Sequence, residues 1–375
     1  MKLRPAIVAL AVTAATALVA APAIASGVNR SATHPSATIP TPGPGWLVAV
    51  WSPHPRSSHP VRYQELVSPE GNRFILYRIH SLFTQVDDWS GDGTRVVEVT
   101  NGSSSSVVSI VDLATGDVEH SFAVRGGNLN ASATFTRPEG RAVFVDTGRL
   151  TRYSLSGAIA ARFPATVGGL GKWTDSWLES PDGLYLVLGT HRGLAFFSND
   201  GTLLARTAIP NGTYCQPVRW WSPGEVLATC ADASNFSVIK LYEVPTSGAA
   251  PTQFVRIPHG GYGYTDAYRV GAKIFLQGAV TCGLPYLAEL HGSTPVPVNP
   301  HLRGGGDAVV ATTGTSLALL SADGCTGQNF VSWYTPGTNS VQQVLGAPLS
   351  SGNVNDVIGY PNPISTGVPA SNPFQ

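Results

Sequence analysis

Five aspartates recur in one local setting, two residues before an apolar side chain in a short β-prone segment. Carboxylate oxygens are the ligands of a hard cation such as Ca²⁺, which takes about 6–8 of them. A repeated aspartate also accepts hydrogen bonds from backbone N–H groups, and we favour this structural role while keeping calcium as the alternative. The five are Asp87 before Trp89, Asp175 before Trp177, Asp266 before Tyr268, Asp307 before Val309 and Asp356 before Ile358.

Aromatic residues in the same segments form a second candidate set. If exposed, they would stack on sugars or peptides, and if buried, they would pack one sheet against the next; we favour packing. The set comprises Trp89, Trp177, Trp220, Trp221 and Tyr268.

His259 is a weak candidate for a general base, because it stands beside flexible glycines in the segment "PHGGYGY". An ordinary exposed loop explains this segment equally simply, and we favour that interpretation. The sequence contains no G-x-S-x-G nucleophile elbow, no phosphate-binding loop and no H-E-x-x-H zinc motif. It therefore names no reaction.

A repeated unit of about 45 residues positions these side chains. Its most regular feature is a hairpin turn, seen as "WSGDG", "ESPDG", "WSPG" and "RPEG". Six units begin near residues 85, 133, 175, 218, 266 and 307, and each is expected to be a four-stranded meander. In the first unit the predicted strands are Gln85–Ser90, Arg95–Thr100, Val107–Asp112 and Val118–Val124.

A seventh unit is split between the two ends of the chain. Trp46–Trp51, Arg62–Ser68 and Arg73–Ile79 look like the last three strands of a unit, and Asn353–Asn362 looks like the missing first strand. Pairing them would close a ring and remove an open sheet edge. We predict an all-β propeller of seven four-stranded blades over residues 46–363, with six or eight blades as alternatives.

The hairpins resemble the repeats of TolB-like and WD-repeat-like β-propellers, particularly secreted bacterial ones. The resemblance extends over residues 46–363, and each motif is short and degenerate. It implies that the first strand of each blade lines a central channel, with the aspartates near the channel mouth. It does not imply one function, because such propellers include binders, scaffolds and enzymes.

The N-terminus predicts export. Lys2 and Arg4 precede an alanine-rich apolar run and the small-residue site Ala23–Ala25, which indicates a signal peptide over residues 1–25. A transmembrane helix is the rival interpretation, but the run is shorter than the roughly 20 apolar residues that a span requires. We expect residues 26–45 to be a flexible Ser/Thr/Pro-rich arm and residues 364–375 a flexible tail.

Export makes disulfides available to the four cysteines. Cys215 precedes the first strand of the fourth unit and Cys230 ends its second strand, so the two should face each other. Cys282 and Cys325 follow the second strands of neighbouring units. We predict Cys215–Cys230 and Cys282–Cys325, and favour disulfides over a zinc site because no ligand spacing for zinc is present.

The charge balance is neutral, with 23 Lys+Arg against 23 Asp+Glu. It gives no electrostatic footprint for nucleic acid and no polybasic patch for a membrane. We expect a secreted or envelope-located monomer, without a membrane span once the signal is removed, that binds a protein, peptide or cell-wall glycan without catalysis or cofactor. The alternatives are a calcium-dependent lyase or lactonase at the channel mouth and a purely structural role.

Overall fold

Every regular element in the described part of the chain is a β-strand. The computed structural model describes residues 39–55, 60–79, 81–125, 131–257, 261–278, 286–298, 304–323, 329–346 and 352–360. The predicted signal peptide and C-terminal tail lie outside these residues, as does most of the arm. No helix within these ranges is long and apolar enough to cross a membrane.

The strands form seven antiparallel sheets, which are the seven predicted blades. Blade 1 contains β4 (Thr84–Trp89), β5 (Arg95–Thr100), β6 (Ser105–Asp112) and β7 (Val118–Arg125). Blade 2 contains β8 (Ser132–Phe135), β9 (Ala142–Asp146), β10 (Leu150–Ser154) and β11 (Ile159–Arg162). Blade 3 contains β12 (Thr166–Val167), β13 (Gly171–Glu179), β14 (Tyr185–Thr190), β15 (Gly193–Ser198) and β16 (Leu203–Ala208).

The next three blades repeat the same meander. Blade 4 contains β17 (Gly212–Ser222), β18 (Glu225–Asp232), β19 (Asn235–Pro245) and β20 (Thr252–Gln253). Blade 5 contains β21 (Tyr264–Val270), β22 (Lys273–Gly278), β23 (Tyr286–His291) and β24 (Thr294–Val298). Blade 6 contains β25 (Gly304–Thr312), β26 (Leu317–Asp323), β27 (Asn329–Thr335) and β28 (Ser340–Leu345).

Blade 7 closes the ring with strands from both ends of the chain, as predicted. Its order is β29 (Asn353–Gly359), β1 (Leu47–Ser52), β2 (Arg62–Val67) and β3 (Arg73–Ile79). Beyond β29, Tyr360 donates its backbone N–H to the Trp46 carbonyl oxygen at 2.8 Å and packs edge-on against the buried Trp89 of blade 1. The two chain ends are therefore tied both to each other and to the neighbouring blade.

The apolar core consists of seven clusters, one between each pair of adjacent blades. Sheet residues alternate between two faces, and in a ring of radial sheets each face meets a neighbouring blade. Ile39 packs against the cluster between blades 7 and 1, so contacts with the core begin within the predicted arm.

Side-chain hydrogen bonds explain why the hairpin turn recurs. In "ESPDG" the Ser180 hydroxyl donates to Asp182 at 2.6 Å, and the N–H of Tyr185 donates back to the Ser180 hydroxyl at 2.8 Å. "WSGDG" repeats these bonds through Ser90 and Asp92. Gly183 has φ of 70°, and a Cβ at this position would lie 2.1 Å from the carbonyl oxygen of Arg137 in blade 2, so a side chain there would be strained and obstructed.

The predicted disulfide between Cys215 and Cys230 is present, and it joins the first two strands of blade 4. Cys282 and Cys325 lie outside the described residues, so their pairing remains a prediction.

Candidate functional site

Two of the five aspartates link neighbouring blades through backbone hydrogen bonds. The N–H of Ala133 in blade 2 donates to Asp87 of blade 1 at 2.7 Å. Asp356 of blade 7 accepts from the N–H of Val86 in blade 1 at 3.3 Å and from that of Val357 at 2.9 Å. These contacts match the structural role that we favoured for a repeated aspartate.

The other three aspartates have different surroundings. Asp266 is 5% exposed and forms a bidentate ion pair with Arg219 of blade 4. The Arg219 Nε donates to one carboxylate oxygen of Asp266 at 2.6 Å. Asp307 is buried and accepts from the Ser321 hydroxyl at 2.5 Å. Asp175 is exposed at φ 55°, within an irregularity where the pairing of β13 with β14 shifts register. The five carboxylates thus lie in four different surroundings: two accept backbone N–H groups from a neighbouring blade, one pairs with a guanidinium, one accepts a hydroxyl and one is exposed.

Calcium is expected to leave the melting temperature of the mature protein unchanged. Four of the aspartates already have backbone, hydroxyl or guanidinium partners, and the described residues contain no group of three or more His, Cys, Asp or Glu that could hold a metal ion. Thermal melting with calcium chloride and with a chelator tests this expectation. An ion bound only by the native state would raise the melting temperature in calcium and contradict it.

The predicted aromatic residues lie mainly between blades. Trp89, Trp220, Trp221 and Tyr268 are 1–4% exposed and belong to the inter-blade clusters, so none offers a face to a ligand. Trp177 is half-buried, and its indole N–H donates to the hydroxyl of Thr134 in blade 2 at 3.0 Å. His259 lies outside the described residues.

An open pocket of about 840 Å³ lies where blades 7 and 1 meet, at the end of the ring where the first strands begin. We call this end the upper face and this cavity the blade 7–1 pocket. Leu82 and Phe83, just before β4, stand at its rim with 60% and 70% of their surfaces exposed. The lining residues are Val50, Arg62, Leu82, Phe83, Thr84, Gln85, Asn101, Gly102, Ser103, Asn355 and Asp356.

Arg62 bridges the two blades at this pocket. It begins β2 of blade 7, and its guanidinium donates to the carbonyl oxygens of Ser81 and Thr84, the latter at 3.2 Å. Its buried Nε has no hydrogen-bond partner among the described residues. Asn101 is fixed by Ala131, whose N–H donates to its side-chain oxygen at 2.9 Å. The polar lining is therefore anchored and retains hydrogen-bonding capacity.

Asp356 in the pocket lining and Asp87, which lies near enough to feel its charge, hold protons more tightly than usual. Burial raises the pKa of Asp356 to about 6, although two backbone N–H groups and Arg62 oppose the shift. Burial also raises the pKa of Asp87 well above its ordinary value, and the nearby Asp356 carboxylate adds to this effect. The charge of the pocket therefore depends on pH near neutrality.

Sequence reasoning located only Asp356 among the residues that line this pocket. It missed Arg62, Gln85, Asn101 and Asn355, which lie at strand starts and in connections without any shared motif. One signal was available in "SLFTQ", where the adjacent apolar residues Leu82 and Phe83 occupy a connection rather than a strand. Such a pair in a loop is unusual unless it covers a core or meets a partner.

Comparison with known proteins supports the fold and leaves the family open. No family model matches the sequence, and no curated protein matches it. Among solved structures, the β-propeller domain of Myceliophteria thermophila Cps50 (Swd1) matches with a TM-score of 0.54 and 12% identity, over 79% of this chain and 99% of that one. The Pseudomonas aeruginosa periplasmic gluconolactonase PpgL matches with 0.54 and 12%, over 84% and 100%.

TolB from Acinetobacter baumannii also matches, with a TM-score of 0.49 and 11% identity, over 85% of this chain and 67% of that one. At such identities the structural matches show a shared propeller fold only. The resemblance seen in the hairpins is confirmed to that extent, whereas a secreted bacterial type remains a prediction.

Proposed function

We propose that the mature chain works outside the cytoplasm as a non-catalytic binding propeller, with the blade 7–1 pocket accepting a peptide segment of a protein partner. The observation that carries the proposal is the combination, in one open pocket, of two exposed apolar side chains with an anchored polar lining. Ligand pockets generally join an apolar contact surface to a few oriented polar groups.

The polar lining suits a peptide backbone, which carries one donor and one acceptor at each non-proline residue. Asn355 offers both kinds of group and Gln85 offers its side-chain oxygen, because the Gln85 amide already donates to the Ala131 carbonyl oxygen. Asn101, whose oxygen already accepts two hydrogen bonds, and Arg62 offer N–H donors, and the Asp356 carboxylate offers acceptors. Leu82 and Phe83 would contact an apolar side chain of the same segment.

The chemistry of the pocket supports binding rather than turnover. A hydroxyl nucleophile needs an adjacent base within hydrogen-bond reach, and the lining hydroxyls among the described residues are those of Thr84, which bonds to the Thr100 hydroxyl at 2.7 Å, and Ser103. No hydrogen bond from the Ser103 hydroxyl to a base is present in the described contacts.

The predicted signal peptide and the Cys215–Cys230 disulfide support a location outside the reducing cytoplasm.

A peptide-display selection on the purified mature protein tests the proposal. Peptides enriched on the wild type should bind at least about tenfold more weakly to the double variant Leu82→Ser/Phe83→Ser, because the apolar contact is lost. The matched control is Leu203→Ser/Leu204→Ser, which removes two exposed leucines from β16, the last strand of blade 3. Isothermal titration calorimetry measures both affinities.

Thermal melting of both double variants shows whether the fold is retained. Failure to enrich any peptide, or equal affinity for the wild type and the rim variant, would refute peptide binding at this pocket.

A further inference from the structure

A second, smaller pocket of about 320 Å³ opens on the upper face at blades 3 to 5, away from the blade 7–1 pocket. Ser176, Gln216, Thr229 and Thr265 provide its polar lining, and Tyr214 forms one wall. Gln216 and Thr229 are direct cross-strand partners in blade 4. None of the described residues that line this pocket is charged.

Tyr214 is the centre of an exposed aromatic group at the mouth of this pocket. Its ring lies 4.5 Å from the His191 ring and 6.1 Å from the Phe236 ring, measured between centroids. Tyr214 is 51% exposed and Phe236 is 61% exposed. By contrast, the aromatic residues that form the inter-blade clusters are buried. We call these three residues the Tyr214 platform.

The backbone of Tyr214 adopts a conformation that is unfavourable for a tyrosine, and its ring is exposed at the pocket mouth. Its φ is 49°, a left-handed value that bulky residues seldom adopt and that glycine adopts freely. The N–H of Tyr214 donates to the His191 carbonyl oxygen at 3.1 Å, and the next residue is the buried, disulfide-bonded Cys215. Strained positions of this kind concentrate at ligand sites.

We propose that the Tyr214 platform and its pocket form a binding site for a neutral carbohydrate. The C–H face of a sugar ring would stack on the exposed Tyr214 ring, and the sugar hydroxyls would bond to the hydroxyl and amide side chains. The uncharged lining favours a neutral sugar over an anionic or cationic one, since no lining side chain would pair with a ligand charge. This site is separate from the peptide site proposed above.

The test uses three neutral tetrasaccharides as probes: cellotetraose, maltotetraose and the tetramer of N-acetylglucosamine. Titration calorimetry and protein fluorescence should detect binding of at least one of them to the mature protein. Tyr214→Gly should abolish this binding while keeping or raising the melting temperature, because glycine relieves the unfavourable φ. Tyr214→Phe should retain affinity within about twofold, since it keeps the ring.

The matched control is Tyr185→Ala, which removes a tyrosine of similar exposure, 43%, at the opposite end of blade 3. It should change affinity less than about twofold. The Leu82→Ser/Phe83→Ser variant should bind the sugar normally, which separates this site from the peptide site. If none of the three sugars binds, or if Tyr214→Gly binds like the wild type, the proposal is overturned. Binding of display-selected peptides at Tyr214 instead of sugar would also overturn it.

Discussion

Replacing Asp266 with alanine is expected to lower the free energy of unfolding by about 3–5 kcal/mol, because it leaves a buried guanidinium without its carboxylate. Arg219 is completely buried, and two of its guanidinium nitrogens, Nε and Nη2, contact the Asp266 carboxylate in the next blade. Its guanidinium carbon also lies 3.9 Å from the centre of the Tyr268 ring, so water has little access to the charge. Urea unfolding of the mature protein measures the loss.

Removing both charges should recover most of this stability. The double variant Arg219→Met/Asp266→Ala leaves no unpaired charge, and apolar replacements of buried ion pairs are often neutral. The surface control is Glu289→Ala, which breaks an ion pair with the half-exposed Lys273 and should cost less than about 1 kcal/mol. A loss for Asp266→Ala no larger than for Glu289→Ala would show that the buried pair contributes nothing specific.

Replacing Glu179 with glutamine is expected to remove a marked pH dependence of stability. Burial at the end of β13 raises the pKa of Glu179 to about 8, against opposing hydrogen bonds and charges from Arg137, Asn199 and Arg152. Between its ordinary pKa and about 8, the folded protein holds a proton that the unfolded chain has released. Stability therefore falls as pH rises through this window, by about 1.4 kcal/mol for each pH unit.

Glutamine mimics the protonated acid at every pH, so the slope of unfolding free energy against pH should decrease by the equivalent of one proton. The Asn199 side-chain oxygen is buried without a partner among the described residues, and the new amide can donate to it. Urea unfolding from pH 5 to pH 8 measures the slope, with the exposed Glu139→Gln as the control. Identical slopes for the wild type and Glu179→Gln would disprove the shift.

The propeller was predictable because its information is local and repeated. Ser90 and Asp92 build the blade 1 turn from bonds within six residues, and the same composition marks the turns of other blades. The prediction for blade 3 was less accurate, since β13 begins at Gly171 rather than Asp175 and β12 pairs with it. Asp175, with its positive φ, lies within the register shift of this strand, and the sequence does not indicate where that shift occurs.

For three of the repeated aspartates, Asp87, Asp266 and Asp356, the partner was not predictable, because it comes from another blade. Arg219 is 47 residues from Asp266, and Ala133 is 46 residues from Asp87, about one repeat away. The sequence shows that an aspartate recurs, but the register between blades decides whether it meets a guanidinium, a backbone N–H or solvent. For the same reason, the blade 7–1 pocket has no signature beyond Leu82 and Phe83.

Because blade 7 is built from both ends of the chain, its sheet is completed only after the last strand has been synthesised. Asn355 and Asp356 of the blade 7–1 pocket lie on β29, whereas Arg62 lies on β2, nearly 300 residues earlier in the chain. The ribosome delivers β29 after every other strand of the ring, so this pocket cannot exist on a nascent or C-terminally truncated chain. A ligand of this pocket would thus bind only molecules whose ring is already closed. Ligand binding is therefore coupled to the completion of folding.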